Sequence, residues 1–145
     1  MPILVLGLNH KTAPVAIRER VTFGPDIIVA ALRDLLVQPG VEESLILSTC
    51  NRTEVYCTVS DTGDAPVADW LSHFHGLEAD QTVPYLYTHF DRDAVSHLLR
   101  VASGLDSLVL GEPQILGQVK QAFQTACQAQ SCGKLLGRLF QHTFS

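Results

Sequence analysis

Apolar and polar residues alternate along the chain in two periodicities, which predict four strands and six helices. Runs rich in β-branched and aromatic residues predict strands at 3–8, 43–49, 53–60 and 83–90. Apolar residues at helical spacing predict helices at 14–21, from 25 to the stop at Pro39-Gly40, and at 66–75, 92–104, 113–130 and 135–142. Asp91 is the predicted N-cap of the 92–104 helix.

The order of the first seven predicted elements is β-α-α-β-β-α-β. This order is that of the split βαβ arrangement with one extra helix in the first crossover. We therefore expect an α+β domain, a ferredoxin-like antiparallel sheet with its helices packed on one face. Two additional C-terminal helices would complete a single domain over residues 1–145.

Composition narrows the class of protein. The chain has 145 residues, of which 46% are hydrophobic and 17% charged, so a folded core is expected and the surface is poor in charge. A net charge of -5 excludes a general basic coat for nucleic acid. No apolar run approaches the roughly 20 residues that span a bilayer, so no membrane association is expected. The cysteines form no CxxC pair, which indicates reduced thiols in a cytoplasmic protein and no metal site.

Cys50 is the strongest candidate for covalent chemistry. Only Cys50, Asn51 and Arg52 separate the second and third predicted strands, so the thiol lies at a hairpin tip. Arg52 can favour the thiolate and orient an anionic substrate, and Thr49 and Asn51 add polar groups on either side. The alternative is that Cys50 is a small hydrophobic residue between strands, as expected for Cys57.

His97 and a stripe of glutamines are further candidates. His97 lies at the border of the apolar face of its helix, where it either looks into a cleft or forms a hydrogen bond at the edge of the core. Gln114, Gln118 and Gln121 recur on one side of the next helix. Such amides are either a solvated face or a set of groups that bind a small ligand.

Three separated segments resemble one known family. Residues 7–14 (GLNHKTAP), 47–56 (LSTCNRTEVY) and 104–120 are similar to the N-terminal domain of glutamyl-tRNA reductases. The resemblance implies that a thiol attacks the ester of glutamyl-tRNA and releases the tRNA. It further implies that NADPH reduces the resulting thioester to glutamate-1-semialdehyde, the first step of tetrapyrrole (porphyrin) synthesis.

The same resemblance implies roles for individual residues. Cys50 would be the nucleophile and His97 the histidine important for activity, with Thr49, Asn51 and Arg52 lining the glutamate pocket. The family's remaining substrate-binding positions are Ser107, Glu112, Pro113, Gln114 and Gln118. Within this assignment, Arg52 would bind the side-chain carboxylate of the glutamate and Glu112 its α-ammonium group.

Length is where the chain departs from that family. The sequence contains neither GxGxxG nor a phosphate-binding loop, so the resemblance implies that NADPH is bound by a domain absent from this chain. A helical dimerisation domain is absent as well, and an apolar stripe ends abruptly at Ser145. We therefore expect a truncated protein whose full-length form is a homodimer and works with the downstream aminomutase.

Two other functions are compatible with the residues alone. A stand-alone cysteine acyl hydrolase would need a histidine close to Cys50 and no reductant. A regulatory module would bind a small ligand without chemistry, since split βαβ domains serve both purposes.

Overall fold

Four antiparallel strands form the sheet at the centre of the computed structural model, which describes residues 2–60, 65–105 and 114–145. They are β1 Ile3–Asn9, β2 Val41–Ser48, β3 Arg52–Val59 and β4 Tyr87–Phe90. The strand order is β2-β3-β1-β4, and every neighbouring pair is antiparallel. This is the ferredoxin-like arrangement, so the predicted fold class is confirmed.

Six helices connect and cover these strands in the described ranges. They are α1 Val15–Arg20, α2 Ile28–Leu36, α3 Ala65–Phe74, α4 Asp91–Ala102, α5 Ile115–Gln128 and α6 Lys134–Phe144. Both α1 and α2 lie between β1 and β2, which confirms the extra helix in the first crossover. No helix within the described ranges has the length and apolar character needed to cross a membrane.

Helices cover both faces of the sheet, so the expectation of a single covered face was wrong. On one face, Ser44 donates from its hydroxyl to the carbonyl of Leu32 in α2, at 3.0 Å. On the other face, the ring of Tyr56 meets that of Phe140 in α6, at 5.3 Å between centroids. Every residue of β3 is buried as a result. The C-terminal helices therefore close the face that a plain split βαβ unit leaves open.

The last strand is shorter than its sequence pattern indicates. A 3₁₀ turn occupies Val83–Tyr85, and the ladder with β1 begins at Tyr87. Pro84 lacks a backbone donor, which explains why pairing starts after it. The prediction that Asp91 caps α4 with its side chain was also wrong. The Asp91 carboxylate instead accepts a hydrogen bond from the backbone N–H of Ile3, at 2.9 Å.

Candidate functional site

The turn between β2 and β3 is held in shape by Thr49. Its backbone N–H donates to the carbonyl of Arg52 at 2.8 Å. Its hydroxyl oxygen accepts from the N–H groups of Asn51 and Arg52, at 3.1 and 3.2 Å. A hydroxyl that binds the backbone two and three residues ahead fixes a tight turn. The Cys50 side chain is therefore presented on a rigid tip, where it is exposed.

A groove of about 570 Å³ runs beside Cys50. The hairpin supplies one wall, and α1 with the segment that follows it supplies the other. The lining residues are Val15, Arg18, Glu19, Thr22, Phe23, Gly24, Pro25, Ser48, Thr49, Cys50 and Asn51. Arg18 and the Cys50 thiol therefore line the same groove, so a cation is available there. The helical spacing of Arg18 did not predict this.

Arg52 lies elsewhere. Its side chain is 1% exposed, and its Nη1 atom lies 3.2 Å from Oε2 of Glu54. Arg52 and Glu54 are two residues apart on β3 and therefore share one face of the sheet. Arg52 follows Cys50 by two residues, but its guanidinium forms a buried ion pair with Glu54 and is not among the groups that line the Cys50 groove.

Glu54 is the centre of a buried polar cluster that sequence reasoning did not identify. Its carboxylate is fully buried and accepts hydrogen bonds from the hydroxyls of Tyr56, at 2.8 Å, and Tyr87, at 2.5 Å. It also bonds to Nε2 of His97. Strands β3 and β4 and helix α4 each contribute a partner. Glu54 carries no sequence signal of this role, since a lone carboxylate in a strand is usually solvated.

Gly7 makes this cluster geometrically possible. It lies on β1 directly between Glu54 of β3 and Tyr87 of β4. A Cβ atom at this position would come within 3.0 Å of the Glu54 side chain and 2.3 Å of the Thr53 carbonyl oxygen. The missing side chain lets the Glu54 carboxylate reach the Tyr87 hydroxyl across the strand.

The electrostatics of the cluster favour an ionised Glu54. Burial by itself raises the pKa of this carboxyl, but the hydrogen bond and charge of His97, the charge of Arg52 and the Tyr87 hydroxyl lower it. The net direction is a pKa below the ordinary value. Burial, and then the charge and hydrogen bond of Glu54, raise the pKa of Tyr56 well above its ordinary value. Tyr56 is therefore a permanent hydrogen-bond donor to the carboxylate.

His97 is 7% exposed on α4, and the pairing with Glu54 leaves Nδ1 as the ring nitrogen that can serve a ligand. The ring of His89 stacks on it, at 4.7 Å between centroids. Burial, followed by the charge of His97, lowers the pKa of His89. Both rings line a cavity of about 270 Å³ with Asp93, Ser96 and Arg100. In this structure, His97 and Cys50 line separate cavities.

Two of the three glutamines lie next to the Cys50 groove. Gln118 and Gln121 line a cavity of about 300 Å³ that shares Phe23, Pro25 and Ser48 with that groove. Gln114 is exposed and precedes α5 as its N-cap residue. Ser107, Glu112 and Pro113 lie outside the described residues. Within the described ranges, no cluster of His, Cys, Asp and Glu side chains could hold a metal ion.

Comparison with known families identifies this domain. The family model described as "Glutamyl-tRNAGlu reductase, N-terminal domain" matches residues 6–145. The chain belongs to this family. The glutamyl-tRNA reductase of Nitrosococcus oceani is 55% identical over 99% of the chain, and that of Psychromonas ingrahamii is 52% identical over all of it. The chain spans about a third of the length of these relatives, 34% and 35%.

A solved structure of the family has the same fold. The glutamyl-tRNA reductase from Methanopyrus kandleri superposes on 97% of this chain with a TM-score of 0.80 and 30% sequence identity. The match covers 32% of that protein. The resemblance read from the three sequence motifs is therefore confirmed at the level of family and fold.

Proposed function

We propose that this glutamyl-tRNA reductase domain accepts the glutamyl group of glutamyl-tRNA on Cys50. The observation that carries the proposal is the exposed thiol on a hairpin tip fixed by Thr49 and open to a groove that Arg18 and Glu19 also line. Exposure and fixed geometry are what a nucleophilic thiol requires, and burial excludes Cys57 from that role by raising its pKa.

The acyl transfer proceeds in one addition and one elimination. The Cys50 thiolate attacks the carbonyl carbon of the ester, forming a C–S bond and a tetrahedral intermediate. The bond to the ribose oxygen then breaks, and that oxygen takes up a proton as the tRNA departs. The product is a thioester, which remains reactive toward a hydride donor where an oxygen ester would be less so.

We propose that His97 donates the proton to the departing ribose oxygen or forms a hydrogen bond to the carbonyl of the thioester. Glu54 binds its Nε2 atom and thereby fixes both the ring orientation and the nitrogen that faces a ligand. Because His97 and Cys50 line different cavities, a substrate that uses both has to bridge them. Glu54 acts only through His97 and is a positioning residue.

Recognition of the glutamate would use the polar residues around the thiol. The family resemblance implies that Arg52, Ser107, Glu112, Pro113, Gln114 and Gln118 bind the substrate. By charge, Arg52 would bind the side-chain carboxylate of the glutamate and Glu112 its α-ammonium group. Gln118 lines the cavity next to the Cys50 groove, which supports its place in this set. Arg52 is buried against Glu54, and Arg18 is the arginine that lines the groove.

The described part of the chain does not fit NADPH, and its sequence shows no motif that would. The strands in the described ranges are all antiparallel, whereas dinucleotides bind at parallel βαβ units. The sequence also lacks the glycine fingerprint of such a unit. We therefore propose that NADPH is bound by another domain of a longer cytoplasmic protein. In the same proposal, that protein is a homodimer and delivers glutamate-1-semialdehyde to the aminomutase for tetrapyrrole synthesis.

The test measures product formation by the full-length protein that contains this domain. With labelled glutamyl-tRNA and NADPH, we expect labelled glutamate-1-semialdehyde from the wild type and none from Cys50→Ser. Cys127→Ser is the matched control, because it removes an exposed thiol far along the chain and should retain activity. Full activity of Cys50→Ser would contradict the proposal. Release of free glutamate at the same rate with and without NADPH would indicate an acyl hydrolase instead.

A further inference from the structure

A second pair of cysteines lies at the junction of α5 and α6, outside the proposed site. Cys127 is in the last turn of α5 and is exposed, and Cys132 is half-buried in the connection to α6. All four cysteines of the chain lie in the described ranges, and Cys127 and Cys132 are near enough to each other for Cys127 to influence the pKa of the Cys132 thiol.

The turn that ends α5 brings these two residues near each other. The N–H of Gln130 donates to the carbonyl of Cys127 at 3.0 Å, and the N–H of Ser131 donates to that of Ala126 at 3.0 Å. This pair of bonds is the Schellman motif, which needs a left-handed residue, here Gln130 with a φ of 61°. The motif reverses the chain and brings Cys132 back to the last turn of the helix.

Both neighbours of Cys132 are fixed to the sheet. Ser131 accepts from the N–H of Ser44 at 2.9 Å and donates from its hydroxyl to the Ser44 carbonyl at 2.8 Å. Gly133 packs so closely on Glu43 that a Cβ would lie 2.8 Å from its carboxylate. Glu43 in turn accepts from the N–H of Leu136 in α6, at 3.1 Å. The backbone therefore holds Cys132 beside the last turn of α5, which carries Cys127, before any reaction occurs.

We propose that Cys127 and Cys132 form a reversible intramolecular disulfide on exposure to a low-molecular-weight disulfide such as glutathione disulfide. The Cys127 thiolate attacks one sulfur of the reagent, forming a mixed disulfide and releasing one glutathione. Cys132 loses its proton to solvent and attacks the Cys127 sulfur, which releases the second glutathione. The protein thiols lose two electrons and two protons, and the reagent gains them.

Accessibility sets the order of the two steps. Cys127 is exposed and meets the reagent first. Burial, with the charges of Cys127 and Glu43 and the contact with Cys127, raises the pKa of the Cys132 thiol to about 12. Cys132 is therefore a poor partner for reagents in solution, and it reacts because the turn holds it near Cys127. The second step should accelerate with rising pH.

The experiment treats this 145-residue chain with glutathione disulfide in a Cys50→Ser background, so that the exposed thiol of the proposed site takes no part. Trypsin cleaves after Lys120 and Lys134, which leaves both cysteines in the peptide 121–134. We expect that peptide to become lighter by two hydrogens and to recover its mass with dithiothreitol. In Cys132→Ser, the same peptide should instead carry one glutathionyl group on Cys127.

Three results would overturn the proposal. One is a persistent glutathionyl group on Cys127 when Cys132 is present. Another is an unchanged peptide 121–134 under conditions that modify a free thiol peptide. The third concerns Cys127→Ser in the same background. It is the formation of a glutathionyl group on Cys132 at the rate at which the disulfide forms when Cys127 is present. Circular dichroism of each serine variant serves as the check on folding, so that a negative result can be distinguished from unfolding.

Discussion

Glu54 connects the residues of the proposed site more directly than any sequence motif does. Its carboxylate lies between an arginine, two tyrosine hydroxyls and the imidazole of His97. A buried charge is stable only with such compensation. The cluster thus explains why Arg52 is buried and why His97, at the border of its helix, faces the sheet.

Removal of the Glu54 charge should impair His97 without touching Cys50. For Glu54→Gln, we expect turnover of the full-length protein to fall by about 10- to 100-fold, as part of the roughly 10²–10⁴ that a positioned acid or base contributes. KM should change little, because Glu54 does not contact the substrate.

His97→Asn should lower turnover by about 10²-fold or more. Its melting temperature should stay within a few degrees of that of the wild type.

The double variant distinguishes positioning from a separate role. If Glu54 acts through His97, then Glu54→Gln should add little to the loss already caused by His97→Asn. Rates are normalised to the folded fraction measured by circular dichroism. Independent, multiplying losses would mean that Glu54 does not work through the histidine, and a loss of activity that follows the folded fraction alone would make His97 a structural residue.

The two arginines make a second comparison at this scale. Arg52→Lys retains the charge and loses the planar fork, so it should reduce discrimination between glutamyl and glutaminyl donors by about 1–3 kcal/mol. It should also destabilise the domain, because Glu54 loses part of its buried pairing. Arg18→Lys is the matched control in the Cys50 groove. If only Arg18→Lys lost discrimination between glutamyl and glutaminyl donors, Arg18 rather than Arg52 would be the residue that binds the side-chain carboxylate of the substrate.

At the scale of elements, the hairpin and the crossover could be predicted from the sequence. The covering of both faces of the sheet by helices could not. The spacing of Cys50 between two strands is local, so it is visible in the chain. The covering of the second face by α6 depends on contacts such as Tyr56–Phe140, which join residues far apart in sequence. The partner of Asp91 could not be predicted for the same reason, since its carboxylate accepts a hydrogen bond from the distant Ile3 and not from its own helix.

A substitution of Gly7 tests whether β1 and β3 have to approach each other as closely as they do at this residue. Gly7→Ala would place a Cβ 2.3 Å from a backbone oxygen in the neighbouring strand, so β1 or β3 has to shift. We expect a loss of about 2 kcal/mol or more in the free energy of unfolding, as for overpacked cores. Urea denaturation measures it.

A second glycine provides the control for this prediction. Gly137 lies inside α6 with open space where its Cβ would be. Gly137→Ala should therefore stabilise the domain by up to about 1 kcal/mol, because alanine favours a helix. Equal stability of the wild type and Gly7→Ala would show that the strand tolerates a side chain there and that the close approach is not required.

For the whole molecule, the site could be predicted from sequence only in part. Cys50 is predicted from its place between two strands and His97 from helical spacing and family resemblance. Glu54, which binds His97, is recognised only when β3, β4 and α4 come together. The buried cluster also links the site to global stability. A carboxylate that three elements compensate stabilises the fold only while it is ionised.

Acid should therefore unfold the domain through Glu54. Its folded-state pKa lies below the ordinary value of 4.5, so the unfolded chain binds more protons between these two values. The stabilisation is present above pH 4.5 and is lost as the pH falls through the folded-state value. His75, whose pKa burial lowers from 6.5, adds a loss that begins below pH 6.5. Urea midpoints measured from neutral to acidic pH test this.

The control for the acid titration is Glu54→Gln, which we expect to be less stable at neutral pH but which has no carboxyl at this position to protonate. Its stability should decline less steeply below pH 4.5 than that of the wild type. Parallel curves for the two proteins would show that other carboxyl groups cause the acid unfolding.

The central claim is that the glutamyl group passes to Cys50, and a rapid acid quench tests it most directly. The full-length protein is mixed with labelled glutamyl-tRNA in the absence of NADPH, quenched, digested and mapped by mass spectrometry. The account predicts one glutamyl group on the peptide that contains Cys50, released by hydroxylamine, absent from Cys50→Ser and slower to form in His97→Asn. A glutamyl group on another residue, or its reduction without any acylated Cys50, would contradict the account.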